Sequence, residues 1–202
     1  KLLREYHPRM ISSRMFSSDK LYQYTNLYEV GLYSSWLLSP VGIEKQDALI
    51  ACGLSGAVEE QTKCFVKSLV KTNNPVFERV WVDPILLPAN PPSWMLSATF
   101  SSEMFKQILV AVIRPGVGTI TNALTAGARV FSFYEQGNSE MSTNAYLIQS
   151  SGVGIDALTI DNAWNEAKLF KKDSNAQQLH SQNIECLDLD GANQAAEIIM
   201  DS

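Results

Sequence analysis

Arg114-Pro115-Gly116-Val117-Gly118-Thr119-Ile120-Thr121-Asn122-Ala123-Leu124 follows directly on an apolar run, Ile108-Leu109-Val110-Ala111-Val112-Ile113. Four residues of that run are β-branched. The run therefore reads as the end of a buried parallel strand. Pro115 cannot continue a sheet ladder, and two glycines come after it. Thr119 or Thr121 is then expected to cap a helix through Ala123, Leu124 and Ala126, with Gly127 as its stop. Strand, glycine turn and helix N-terminus together can hold an anion. Free backbone N–H groups point outward, the helix dipole adds roughly half a positive charge, and glycine lets the backbone approach a phosphate. A tight βα turn with no ligand has the same local sequence, so the spacing alone leaves both readings open.

Outward from this stretch the same unit recurs. Ala48-Leu49-Ile50-Ala51-Cys52 reads as a short buried strand and Gly53-Leu54-Ser55-Gly56 as a second glycine turn. Glu59 to Lys71 follows as an amphipathic helix, with Cys64, Phe65, Leu69 and Val70 on its inner side. Phe77 to Val82 is a strand, Ile85-Leu86-Leu87 a further short one, and Met95 to Gln107 is ambiguous and partly helical. Arg129 to Tyr134 reads as a strand, Glu135 to Ser139 as a polar loop, Glu140 to Ser150 as a helix, and Gly152 to Ile155 as a return to the sheet. Strands alternating with helices imply a Rossmann-like, doubly wound parallel α/β sheet. Ligands of such sheets bind beyond the carboxyl ends of the strands, which brings Gly53–Gly56, Gly116–Thr119 and Glu135–Glu140 to one rim.

The flanks are less regular. Residues 1–40 are expected to form an arm, rich in tyrosine at Tyr22, Tyr24, Tyr28 and Tyr33, with a short strand over Leu27–Leu32. Residues 41–202 are expected to form the α/β domain. In the tail, Ile160–Phe170, Asn175–Gln182 and Asp190–Met200 read as helices. Asp190 is the expected cap of the last, with Ala195, Ile198 and Ile199 facing inward; Ile184–Leu187 reads as extended.

Composition narrows the classes. The chain has 202 residues, 46 % of them hydrophobic, enough for a substantial core. A net charge of −5 gives no broad basic field for nucleic acid or anionic lipid. Cys52, Cys64 and Cys186 show neither metal-ligand spacing nor a disulfide framework and read as buried free thiols in a reducing compartment. No apolar run is long enough to span a membrane, so a cytoplasmic or membrane-peripheral location is expected. His7, in the arm, and His180, in the polar tail, read as ordinary surface histidines rather than as a base. No Ser/His/Asp set, nucleotide-binding lysine motif or close carboxylate pair offers a rival active site.

Three features occur in order: Cys52-Gly53-Leu54-Ser55-Gly56, the turn at Gly116-Val117-Gly118-Thr119, and Gly137-Asn138-Ser139-Glu140-Met141-Ser142-Thr143-Asn144-Ala145 followed by Gly152-Val153-Gly154. Together they resemble the C-terminal, donor-binding half of GT-B glycosyltransferases, closest to the lipid-linked N-acetylglucosaminyltransferase and UDP-glucuronosyl/macrolide transferase groups. The resemblance runs from about Ala48 to Ile155. It implies transfer of a hexosyl group, with inversion, from a nucleotide sugar, UDP-linked, to an acceptor hydroxyl without a metal or other cofactor. It implies that Gly116, Val117, Gly118 and Thr119 meet the donor diphosphate. Asn122 then falls at the ribose position and Glu140 at the sugar position. Gly53, Ser55 and Gly56 fall near the phosphates or the acceptor side, and Asn144 braces the loop. Arg114 could pair with a phosphate or be a solvated residue at the sheet end.

The departures are Asn122 for the family's ribose carboxylate, Met141 for its glutamine and Ala128 for a common proline. The resemblance also implies a missing N-terminal acceptor-binding domain or partner subunit, since an arm of residues 1–40 is too short to be one. The catalytic base is therefore unassigned. A non-catalytic module of the same fold, and a nucleotide-sugar epimerase, stay open as alternatives.

Overall fold

In the computed structural model, residues 9–17, 26–34, 45–53, 58–72 and 76–201 are described. The chain divides into two compact units, one formed by Lys1–Leu37 with Cys186–Ser202 and the other by Leu38–Glu185.

The first unit joins the two chain ends. Strand β1 (Arg9–Ser13) pairs in parallel with β2 (Asn26–Val30), Arg9 opposite Asn26 and Ser13 opposite Val30. The chain leaving β2 meets the segment before the last helix. The Gly31 N–H donates to Gln194 Oε1 at 2.9 Å, and Leu32 N–H to the Asp188 carbonyl at 2.8 Å. Gly191 N–H donates back to the Leu32 carbonyl at 3.2 Å. A Cβ at Gly191 would lie 2.2 Å from the Gly31 carbonyl oxygen, so the two backbones can approach this closely only with glycine there.

The second unit carries a six-stranded, all-parallel sheet. Its strands are β3 (Asp47–Ala51), β4 (Val80–Val82), β5 (Met95–Ser97), β6 (Ile108–Ile113), β7 (Arg129–Phe133) and β8 (Gly154–Leu158). The spatial order is β5-β4-β3-β6-β7-β8. Strands are added outward from β3 in one direction and then, from β6, in the other. This is the doubly wound Rossmann-like order, and it puts the reversal between β3 and β6.

The helices are α1 (Glu59–Thr72), α2 (Ser102–Phe105), α3 (Val117–Thr125), α4 (Ser139–Ser150), α5 (Ile160–Lys172) and α6 (Ser174–Glu185); α7 (Gly191–Met200) belongs to the first unit. Side chains alternate across the strands. Ala48, Ile50, Val110, Val112, Phe131 and Phe133 face one core with Val66 of α1 and Ala163, Trp164, Ala167 and Phe170 of α5. Trp164 packs on Phe77 with ring centroids 5.2 Å apart, and Phe131 lies 5.9 Å from Phe170. The alternate residues Leu49, Ala111, Ile113 and Val130 are also fully buried, as are Ile120 and Leu124 of α3 and Ala145 and Ile148 of α4. A sheet buried on both faces explains why its strands read as continuous apolar runs.

Several local expectations are corrected. The segment Pro84–Leu86 is a short 3-10 helix rather than a strand, because Asp83 accepts from the Ile85 amide and Pro84 opens a helical turn. The ambiguous stretch resolves into β5 and α2, whose cap is Ser101 accepting from the Met104 amide at 3.3 Å. Helix α6 runs through Ile184 to Glu185, where an extended segment was expected. Cys64 and Cys186 are exposed and only Cys52 is buried. Asp190 precedes α7 but makes no side-chain cap bond, and Ile199 is exposed.

Candidate functional site

The carboxyl ends of β3 and β6 are held side by side by the Arg114 N–H bond to the Ala51 carbonyl, 3.0 Å. Past β3, Gly53 is exposed with φ +68°, a left-handed conformation that favours glycine. Ser55 and Gly56 lie outside the described residues.

Past β6, helix α3 begins earlier than expected. Gly116 is the N-cap, with φ −74° and ψ 136°, and its carbonyl accepts the first helical bond from Ile120 N–H at 3.0 Å. Thr119 lies in the first turn, and Thr121 is buried within the helix, so neither caps it. Gly116 offers no side chain to the helix end. The N–H groups of Val117, Gly118 and Thr119 consequently have no hydrogen-bond partner among the described residues. The expected stop is present: Gly127 has φ +77° and its N–H donates to the Leu124 carbonyl at 2.8 Å.

Gly116 and Gly118 are informative for what does not require them. Neither has a positive φ, and a Cβ built on either meets nothing within 4 Å. The fold would accept a side chain at both, and glycine in a helical turn costs about 0.5–1 kcal/mol relative to alanine. Open space at these two glycines, next to three unpaired amides, suits a close-approaching anion.

The loop after β7 closes the rim on one side. Arg114 donates from Nε to Glu135 Oε2 at 2.9 Å and from Nη2 to Oε1 at 2.6 Å. The Arg114 guanidinium holds the Glu135 carboxyl down at about 2, against an ordinary 4.5. Asn138 donates from Nδ2 to Glu135 Oε1 at 2.5 Å and caps α4 by accepting from the Met141 amide at 3.1 Å. Glu140 is exposed in the first turn of α4, where the helix dipole favours a carboxylate. Asn144, 5 % exposed, donates from Nδ2 to the Pro115 carbonyl at 2.9 Å. Asn122, half-buried one helical turn beyond Gly118, makes no side-chain hydrogen bond with the described residues. Met141 is 2 % exposed and packs inward.

On the other side of the reversal, Asp83 ends β4 as a buried carboxylate, its pKa raised by burial. Burial, and then the charges of Asp83 and Glu59, push the Cys52 thiol up to about 11, so it stays protonated and unreactive. Past β5, Phe100 holds φ +52°, an unusual conformation for an aromatic residue at the rim. No glycine or proline pattern in the sequence marked Phe100.

His180 is not a surface histidine. It is 4 % exposed, its Nε2 lies 3.2 Å from the Gly127 carbonyl, and its ring meets the Phe170 ring edge-on at 5.7 Å. Burial, with the Arg129 charge, lowers its pKa to about 4. Gly127 sits at the amino end of β7, the opposite end of the sheet from the rim, so His180 is no candidate base there. His7 lies outside the described residues. Among the described residues no group of three or more His, Cys, Asp or Glu side chains is placed to hold a metal, and no helix is long and apolar enough to cross a membrane.

No family model and no curated protein matches the chain. Solved structures do. The spinosyn forosaminyltransferase SpnP matches with a TM-score of 0.59 and 16 % identity, covering 96 % of this chain and 55 % of its own. The calicheamicin glycosyltransferase CalG4 matches at 0.58 and 14 %, covering 89 % and 49 %. LpCGTa in complex with UDP matches at 0.56 and 14 %, covering 81 % and 42 %. The chain thus spans about half the length of the structures it matches. With the strand order, these likenesses show the fold: a GT-B-like glycosyltransferase fold, present as its C-terminal, Rossmann-like half-domain.

Proposed function

We propose that this chain is the donor-binding half of a glycosyltransferase that moves a hexosyl group from a nucleotide sugar, UDP-linked, to an acceptor hydroxyl with inversion. The observation that carries the reading is the open N-terminus of α3, where the amides of Val117, Gly118 and Thr119 are unpaired behind two glycines the fold does not need. A diphosphate seated there would accept those N–H bonds. As the bond from the anomeric carbon to the leaving oxygen breaks, negative charge grows on the diphosphate, and the amides and helix dipole stabilise it without a metal. The acceptor oxygen attacks from the opposite face and its proton passes to a base on the other half of the enzyme. We assign Asn122 to the ribose and Glu140 to sugar hydroxyls. Gly53, with Ser55 and Gly56, is assigned to the phosphate or acceptor side.

The need for a second half has its own support. Among the described residues the first unit holds only two parallel strands, with no third strand paired to either edge. The pair packs on α7, and both of its outer edges present backbone groups that a further strand could pair with. We read it as part of a larger sheet belonging to the acceptor-binding domain or partner subunit, which supplies the base.

Two residues favour the second reading, a binding module without turnover. Met141, at the family's glutamine position, is buried and cannot reach a sugar, and Asn122 lacks the ribose carboxylate. Thermal melts with UDP, UDP-glucose, UDP-GlcNAc and dTDP test the proposal. A nucleotide at about a hundredfold its Kd adds about 2.7 kcal/mol, or about 5–10 °C. Gly118→Val, whose side chain would fill the open space, should remove that shift while leaving the ligand-free melt near wild type. No shift with any nucleotide would overturn the proposal. A shift with no sugar transfer when the missing half is supplied would select the binding module.

A further inference from the structure

We infer that Arg114, Glu135, Asn138 and Asn144 form a clasp that positions Glu140 against the amides of α3, so that the clasp governs recognition of the sugar rather than of the diphosphate; this rests on the donor-site reading above. The clasp has two fastenings. In the first, Arg114 grips Glu135 through two parallel N–H bonds of 2.9 and 2.6 Å, Glu135 takes Asn138, and Asn138 caps α4 at Met141. In the second, buried Asn144 ties the next turn of α4 to the Pro115 carbonyl. Residues 114 and 115 lead directly into the N-cap of α3, and Glu140 sits between the two points where α4 is held. Loops beyond strand ends are ordinarily the mobile part of such a sheet. Two charge-assisted bonds and a buried amide bond fix this pair of loops to the precision a binding site requires.

The clasp also settles what the arginine does. Its fork is committed to a carboxylate, so the diphosphate end of the site is left to backbone amides. Removing the Glu135 charge therefore has opposite consequences at the two ends of a nucleotide sugar. Arg114 keeps its positive charge without the Glu135 partner, with the charge of Glu140 still acting on it, which leaves the diphosphate end held at least as well as before. Meanwhile α4 loses one fastening and Glu140 its fixed position, which weakens the sugar. A residue with a merely structural role would weaken both ends together.

Calorimetric titration of the whole chain with UDP, UDP-glucose, UDP-GlcNAc and dTDP-glucose separates these effects. The quantity read is the ratio of the Kd for UDP to that for the tightest of the three sugar nucleotides. Glu135→Gln should lower this ratio about tenfold with UDP affinity unchanged or improved, a typical effect for a charge-assisted contact. Arg114→Lys, which keeps the charge but only one point of contact, should fall between, at about threefold. Equal weakening of UDP and sugar nucleotide by Glu135→Gln, or no change in either, overturns the clasp and leaves the donor site standing. A wild-type chain that binds no nucleotide overturns both.

Discussion

Replacing Glu135 with glutamine should destabilise the protein at neutral pH and leave it unaffected in strong acid. The carboxyl titrates at about 2 in the folded chain against an ordinary 4.5. At about 1.36 kcal/mol for each tenfold change in proton affinity, that difference sets an upper limit of about 3.4 kcal/mol. The pair is not fully enclosed, with 15 % of the Arg114 and 22 % of the Glu135 side chain exposed, so solvent screening lowers this. About 2 kcal/mol is a reasonable expectation, the size of a hydrogen bond to a charged group. For a chain of this length it corresponds to about 4–8 °C in Tm.

The pH dependence has a definite sign. Above about pH 4.5 both folded and unfolded states are ionised, and the stabilisation is complete. As pH falls below that, the unfolded state takes up the proton first, and the advantage of the folded state shrinks until it is gone at about pH 2. Paired thermal or urea melts of wild type and Glu135→Gln, from about pH 7 down to about pH 2.5, measure the gap directly. The reasoning fails if the gap is absent at neutral pH. It also fails if the gap persists undiminished into acid, which would mean that packing rather than charge stabilises the loop.

Other expectations follow from single contacts. Asn144→Ala removes the hydrogen bond that the buried Pro115 carbonyl accepts and should cost about 1–3 kcal/mol in urea melts. Asn144→Asp, which cannot donate, should cost at least as much; a neutral result for both would remove that fastening. Gly191→Ala would bring a Cβ to 2.2 Å from the Gly31 carbonyl, so the chain-end unit should open, read as faster amide exchange over 26–34 and 188–200. Unchanged exchange there would show that the approach is not tight. His180 stays neutral until about pH 4 when folded, whereas an unfolded histidine protonates near 6.5, so wild type should lose stability as pH falls between these values. His180→Gln should be less stable overall but flat across that window, and a parallel slope in both proteins would assign the loss to other groups.

How much of this was readable in the sequence differs from element to element. The strand over Ile108–Ile113 and the turn after it were legible, because a sheet covered on both faces demands an unbroken apolar run and its end needs proline and glycine. The start of α3 was misplaced by assuming a side-chain cap. A hydroxyl residue is the usual signal, and Gly116 gives none because that end is left open. Cys64 is exposed although α1 is clearly amphipathic, because the buried stripe of α1 runs through Thr62 and Val66 and Cys64 lies off it. His180 lies where the helix pattern is weak. Helix α6 carries glutamine and asparagine on most faces, so no stripe singled out a buried position. The Arg114–Glu135 pair spans 21 residues, and the Gly31–Gln194 bond spans 163. Contacts at such separations follow from the topology, which fixes which strand ends are neighbours, and not from any local pattern. The left-handed Phe100 likewise has no sequence signal, since strain of that kind is imposed by the surrounding fold.

Hydrogen exchange at three N–H groups reports most directly on where the diphosphate sits. Without ligand the amides of Val117, Gly118 and Thr119 are unpaired and should exchange rapidly, while Ile120, bonded to the Gly116 carbonyl, exchanges slowly. Saturating UDP or dTDP should slow those three amides by at least about tenfold and leave the amides of α5, on the far face of the sheet, unchanged. Nucleotide binding that leaves 117–119 exchanging as fast as in the free protein would place the diphosphate elsewhere and contradict the account.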